Sequence, residues 1–181
     1  MSLFLNQLII KLTVMKRLLT LLSIRVVVFF ASCNNETPSE KIARLEPQMF
    51  GSDGSVNKEV GIELADAYLA YAKENTMDEM APDMLFKAID ISMNLNGENP
   101  QKTIEIIDFM VETYPQHMLA PMALFIKAFV YESVNDIPSA KETYRLFLEK
   151  YPNDPLVEDV KASLRNAGIP LEELVRQFEE E

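Results

Sequence analysis

Apolar residues recur along most of this chain at the three- and four-residue spacing of an α-helix. Ala140, Tyr144, Phe147, Leu148 and Tyr151 lie at positions that share one side of a helix. A second stripe of this kind runs from 171 to 178. Helices are predicted at 57–75, 79–95, 100–114, 118–133, 138–151, 155–166 and 170–180, after a short helix within 39–48. The pattern therefore predicts an all-α fold.

The first 32 residues follow a different pattern, typical of a secretory signal. Residues 15–17 supply a basic start, 18–30 an apolar stretch, and 31–32 the small residues before Cys33. Translation is expected to begin at Met15, since residues 1–14 add nothing that a signal needs. The alternative is a transmembrane helix, which Lys11, Lys16 and Arg25 disfavour because they interrupt every long apolar window.

The segment Phe-Phe-Ala-Ser-Cys at 29–33 resembles the lipobox of bacterial lipoproteins. The resemblance implies that Cys33 is lipidated and becomes the mature N-terminus, although Phe30 stands where leucine is usual. A thiol is needed because its thiolate takes the lipid. Asn34, rather than an aspartate, favours the outer membrane by analogy with lipoprotein sorting. We expect a signal at 1–32, a tether, short helix and loop at 33–56, and a helical domain at 57–181.

Three stretches in the helical region align with one another. They cover residues 76–82, 115–121 and 152–158, at spacings of 39 and 37 residues, and apolar or aromatic positions precede each one. A fixed period of this length is the signature of a repeated helix–turn–helix unit. One such pair cannot bury its apolar face alone, so neighbouring pairs are expected to stack.

The most regular unit resembles the tetratricopeptide-repeat (TPR) family. Ala128 and Tyr131 match the family's small and aromatic positions in the first helix, and Ala140, Tyr144 and Pro152 match those in the second. Phe147 replaces a small residue, and the preceding repeat is degenerate. The resemblance extends to TPR lipoproteins of Gram-negative envelopes, among them those of the outer-membrane β-barrel assembly machinery. It implies an α-solenoid of antiparallel helix pairs with about seven helices.

The resemblance also implies a binding groove lined by the first helix of each pair. The groove positions are Asp83, Phe86, Asp90, Met93 and Asn94 in one repeat, and Met122, Phe125, Phe129, Glu132 and Ser133 in the next. The helix at 118–133 is apolar almost all round, which is typical of a central, buried helix. Phe125 and Phe129 are therefore either groove residues or core residues.

The net charge of the chain and the residue types it contains exclude several functions. Of the 17 Lys and Arg, four lie in 1–32, so the rest of the chain carries 13 cations against 28 acids, a net charge of −15. Such a body repels nucleic acid. His117 is the only histidine, which leaves no histidine pair for a metal and no evident general base. We expect no catalysis, no metal and no cofactor.

Two functions remain. The first is a membrane-anchored TPR adaptor lipoprotein that binds other envelope proteins, outer-membrane assembly being one implied role, on the periplasmic side of the outer membrane. The alternative is a periplasmic or surface lipoprotein that captures a glycan or small molecule. The absence of Trp disfavours glycan capture, because sugars stack on that side chain. An open channel rimmed by Asp90 and Glu132 would favour the adaptor, and a closed cavity the small ligand.

Overall fold

The structure, a computed structural model, describes residues 36–95, 99–170, 172–173 and 175–176. Within these ranges, the chain forms seven helices and a 3-10 turn at Glu46–Gln48. No extended strand occurs in the same ranges. The helices are α1 (Pro38–Leu45), α2 (Lys58–Glu74), α3 (Ala81–Leu95), α4 (Pro100–Thr113), α5 (Ala120–Ser133), α6 (Ile137–Lys150) and α7 (Val157–Asn166). The all-α prediction is confirmed. The helix predicted at 170–180 falls largely outside the described residues.

Polar side chains fix the starts of four helices. Thr37 and Glu40 form a reciprocal cap on α1, in which Thr37 Oγ1 accepts from the Glu40 N–H at 3.3 Å. Asn57, Asn99 and Asp136 each accept a backbone N–H three residues ahead, at 3.2 Å. These bonds satisfy N–H groups that have no partner within the helix. The helices predicted to begin at 100 and 138 begin at Pro100 and Ile137.

The turns that join α2 to α3, α4 to α5 and α6 to α7 share one geometry. The fourth residue of each turn is Asp78, His117 or Asp154, at the spacing of 39 and 37 residues seen in the sequence. Its carbonyl accepts the N–H three residues ahead at 3.0, 3.0 and 3.1 Å. Its side chain accepts the N–H two residues ahead at 2.9, 3.3 and 2.9 Å. The repeat in the sequence is therefore a repeat of backbone structure.

The helix ends before these turns match as closely. Asn75, Tyr114 and Tyr151 end α2, α4 and α6 with φ of −126°, −125° and −129° and ψ of 50°, 51° and 56°. Each donates its N–H to the carbonyl four residues earlier, at 2.8–2.9 Å. Two residue types, asparagine and tyrosine, thus adopt one backbone conformation, which shows that the turn does not depend on one residue type.

The Asp78 turn carries an additional side-chain contact. The Tyr71 hydroxyl donates to the Asp78 carboxylate, and the Met80 N–H donates to its other oxygen. The hydrogen bond from Tyr71, followed by that from Met80, holds the pKa of Asp78 below its ordinary value. Asp78 is therefore an ionised anchor for this turn at neutral pH.

Each helix packs chiefly on its neighbours in the chain, and α3 also touches α5. The neighbours run antiparallel. The start of α2 approaches the end of α3, where a Cβ on Gly61 would lie 2.3 Å from Leu95 Cδ1. The end of α7 approaches the start of α6, where a Cβ on Gly168 would lie 2.9 Å from Ile137 Cγ2. Packing between successive antiparallel helices is what stacked helix pairs require.

Part of the core lies between α5 and α6. Ala128 and Ala140 are fully buried, as are Tyr144 and Phe147 of the stripe expected on α6. Small residues let the two helices approach closely, and the aromatic rings fill the remaining volume. Ile42 and Leu45 of α1 belong to the same buried cluster, and residues Thr37–Glu181 form one compact unit.

The signal segment 1–32, the start at Met15 and the lipidation site Cys33 lie outside the described residues. In the part of the chain that is described, no helix combines the length and the apolar character needed to cross a bilayer.

Candidate protein-binding face

The ten predicted groove residues lie on α3 and α5, in environments that differ. Phe86, Phe125 and Glu132 are partly buried, while Ser133 and the other six are exposed. Phe86 and Phe125 pack against the buried core. Four of the ten line two neighbouring depressions in the surface: Met93, Phe129, Glu132 and Ser133.

The first depression lies between the end of α3, the start of α4 and the end of α5. Its volume is about 380 Å³, and it is open to solvent. Met93 and Phe129 supply apolar walls, while Thr103 and Ser133 supply hydroxyl groups. Ser133 Oγ already donates to the Val130 carbonyl at 2.7 Å, so its free capacity is as an acceptor.

The second depression lies between α5 and α7 and has a volume of about 430 Å³. Phe129 and Glu132 form one wall, and Ala162, Asn166 and Ile169 lie on the other. The last three stand 37 residues after Phe125, Phe129 and Glu132. They stand one repeat spacing after these three predicted positions and were not predicted from the sequence, although the spacing of 37 residues, applied once more, would have found them.

Phe129 forms a wall of both depressions. Its side chain is 42% exposed, which is unusual for a phenylalanine. Its ring lies 4.7 Å from the ring of Phe125, which stands 5.9 Å from Tyr144 and 6.2 Å from Phe147 in the core. Phe125 therefore supports Phe129 from below, and Phe129 is the more exposed of the two rings.

We call this surface the Phe129 face. It comprises Met93, Phe129, Glu132, Ser133, Asn166 and Ile169, contributed by α3, α5, α7 and the residues after α7. The helices that carry it are the first members of successive pairs, which is where the resemblance to TPR proteins implied a groove. The remaining exposed members of the predicted groove, Asp83, Asp90, Asn94 and Met122, line neither depression.

A buried tyrosine holds Glu132 in place on this face. The Tyr144 hydroxyl donates to Glu132 Oε2 at 3.1 Å. Burial raises the pKa of Tyr144, and the Glu132 carboxylate raises it further. Tyr144 therefore stays protonated at neutral pH and remains a donor. Since neither depression has a Lys or Arg in its walls, Glu132 gives the Phe129 face a negative charge.

No arrangement typical of metal binding accompanies this face. Within the described residues, no group of three or more His, Cys, Asp or Glu side chains could hold a metal ion. His117 Nδ1 accepts the Leu119 N–H at 3.3 Å, so a neutral ring carries its proton on Nε2. His117 thus has a structural role in the turn before α5.

A scan against protein-family models gives no match to this chain, and no curated protein is significantly similar to it. The resemblance to TPR lipoproteins therefore remains a prediction, supported by the motif residues and by the repeated turn.

Proposed function

We propose that this protein is a membrane-anchored adaptor of the bacterial envelope, which binds a segment of another protein on the Phe129 face. The observation that carries the proposal is an exposed aromatic ring, rigidly backed by Phe125, between two depressions. Exposed aromatic and methionine side chains in well-packed surroundings are favoured interface residues.

The shape of the face favours a protein segment over a small molecule. Sites for small molecules bury most of the ligand's surface. Both depressions here are open, and they lie side by side on either side of one ring. Two side chains of one bound segment can occupy them together, while Ser133 and Asn166 are available for polar contacts.

The anchoring part of the proposal rests on the sequence. Lipidation of Cys33 would tether the helical domain to the outer membrane on its periplasmic side. Stable anchoring needs more than one acyl chain, and bacterial lipoproteins generally carry several. The acidic body favours protein partners over nucleic acid.

A photo-crosslinking amino acid at position 129 tests the binding face in intact cells. The matched control is position 146, because Leu146 is 45% exposed and lies on α6, away from both depressions. We expect crosslinked protein partners at 129 that are missing at 146. Equal crosslinking at the two positions, or none at 129, would refute the binding face.

Replacing Cys33 with serine tests the anchor separately. We expect the wild-type protein to incorporate radioactive fatty acid and to sediment with membranes, and the C33S protein to do neither while it keeps its helical circular dichroism. Fatty-acid label on C33S would contradict lipidation at Cys33.

A further inference from the structure

Four methionines lie exposed on two neighbouring turns of this protein. Met77 and Met80 belong to the turn before α3, and their side chains are 95% and 50% exposed. Met118 and Met122 lie before and within the first turn of α5, and they are 84% and 37% exposed. Methionine is among the residues most often buried, so four exposed side chains on two equivalent turns are unusual. We call this surface the methionine edge.

A direct hydrogen bond holds the two turns together. The Tyr114 hydroxyl donates to the Thr76 carbonyl at 3.1 Å, so the start of the second turn lies against the first. Met77 follows Thr76 directly, and Met118 lies four residues after Tyr114. Contact between α3 and α5 keeps the following helices adjacent. The four thioether side chains therefore share one edge of the domain.

Carboxylates surround the methionine edge and outnumber the cations near it, of which Lys150 donates from Nζ to the Val111 carbonyl at 3.3 Å. Glu74, Glu79, Asp83 and Glu112 are exposed there, and in the described part of the chain none of them forms an ion pair. Residues 74–86 and 103–126 contain no Lys or Arg.

The lysines that flank these segments are already paired. Lys73 Nζ lies 2.8 Å from Glu105, and Lys127 Nζ lies 2.5 Å from Asp108. The carboxylates around the methionines are therefore not neutralised by the protein itself.

We propose that the methionine edge binds a cationic amphipathic helix of another protein. Unbranched, polarisable methionine side chains adapt to an apolar helix face, which is a recurring way of binding amphipathic helices. The acidic rim matches Lys and Arg on the polar face and repels anionic lipid and nucleic acid. This proposal does not rest on the Phe129 face, because Met77 and Met118 belong to neither depression.

Methionine methyl signals report the site directly. We would label the full-length chain with ¹³C at its methionine methyl groups and titrate it with a synthetic helix of leucine and lysine, about 18 residues long. We expect the signals of Met77, Met80, Met118 and Met122 to shift, and that of Met93 to stay in place. A helix of leucine and glutamate should shift none of them.

Substitutions distinguish this site from general attraction between opposite charges. M77S combined with M118S should weaken binding of the leucine–lysine helix at least tenfold, and E79K should weaken it as well. The matched controls are L146S, at an apolar residue that is 45% exposed on α6, and E149K on the same helix, and these should retain the wild-type affinity. An equal loss of affinity in the control variants, or unchanged affinity in M77S/M118S, would overturn the proposal.

Three other occupants give different results, and each would overturn the proposal. A second copy of this chain would shift the edge signals on concentration alone, without any peptide. A lipid surface would appear as binding to anionic phosphatidylglycerol vesicles. A peptide seated on the Phe129 face would shift the Met93 signal. Since the Phe129 face is tested by crosslinking at position 129, either proposal can fail while the other stands.

Discussion

The histidine in the second repeated turn gives the sharpest test of the repeat geometry. His117 occupies the position held by Asp78 and Asp154 in the other two turns, and all three side chains accept the N–H two residues ahead. The bond to His117 is the longest, at 3.3 Å against 2.9 Å. H117A removes this acceptor and leaves the Leu119 N–H without its partner.

The expected cost of H117A is set by the lost bond. A hydrogen bond of this kind contributes about 0.5–1.5 kcal/mol net. For a domain of this size, 1 kcal/mol corresponds to a shift of about 2–4 °C in the melting temperature. H117A should therefore unfold about 3 °C below the wild type, as measured by far-ultraviolet circular dichroism, with the urea m-value unchanged.

Two further variants at position 117 separate the effect of a hydrogen-bond acceptor from the effect of a negative charge. H117N supplies a neutral oxygen acceptor and should match the wild type within about 0.5 kcal/mol. H117D adds a negative charge at the start of α5, where the helix dipole favours it by about 0.3–1 kcal/mol, and should be the most stable of the series. An H117A protein as stable as the wild type, or H117D and H117N proteins no more stable than H117A, would refute this role of His117.

Three other perturbations test the packing and the turns. A128L, which overpacks a fully buried position, should lower the free energy of unfolding by about 1–3 kcal/mol; an unchanged urea midpoint would contradict the close approach of α5 and α6. G168A forces a side chain into a backbone with φ of 80°, and its Cβ would lie 2.9 Å from Ile137. It should lose more stability than G54A, which has φ of 79° with nothing within 4 Å, and an equal loss would argue against that contact. The pKa of Asp78 is lower in the folded state than in the unfolded state, so ionised Asp78 stabilises the fold above about pH 4. This stabilisation is lost as the pH falls through the folded-state pKa. D78N should therefore have a lower urea midpoint than the wild type at pH 7, and a gap that stays constant down to about pH 3 would refute this.

Much of the fold could be predicted because it is encoded locally. Caps such as Asn99 and Asp136, prolines at helix starts and the apolar stripe on α6 act within one or two turns of helix. The helices α3 and α5 begin at Ala81 and Ala120, two residues later than predicted. The reason is that the residues before them close the repeated turn through the carbonyls of Asp78 and His117.

The candidate site was less predictable because it depends on contacts between distant helices. Sequence spacing places Phe125 and Phe129 on the same side of α5. Only the packing of α6 makes Phe125 a support against Tyr144 and leaves Phe129 facing solvent. The contribution of α7 was within reach of the repeat spacing, but Ala162 and Asn166 carry no aromatic or charged group that would mark them in the sequence.

The exposure of the methionine edge could not be predicted from the sequence pattern either. A methionine is expected in the core, because this residue type is usually buried. Its exposure here results from the direction in which the turn points, and that direction is set by hydrogen bonds such as the one from Tyr114 to Thr76. Composition alone therefore could not separate Met118 on the surface from Met110 in the core.

Because the residues that begin the three turns have matching φ and ψ angles, the helix pairs are connected in the same way. A chain that leaves α2, α4 or α6 does so in the same direction, so a pair can be duplicated or excised at these joints without redirecting the rest of the chain. The residue that closes the joint is free to vary between aspartate and histidine. A lineage built on this plan can lengthen the exposed face of its first helices by one pair at a time, and each added pair brings a new turn at the same edge of the domain.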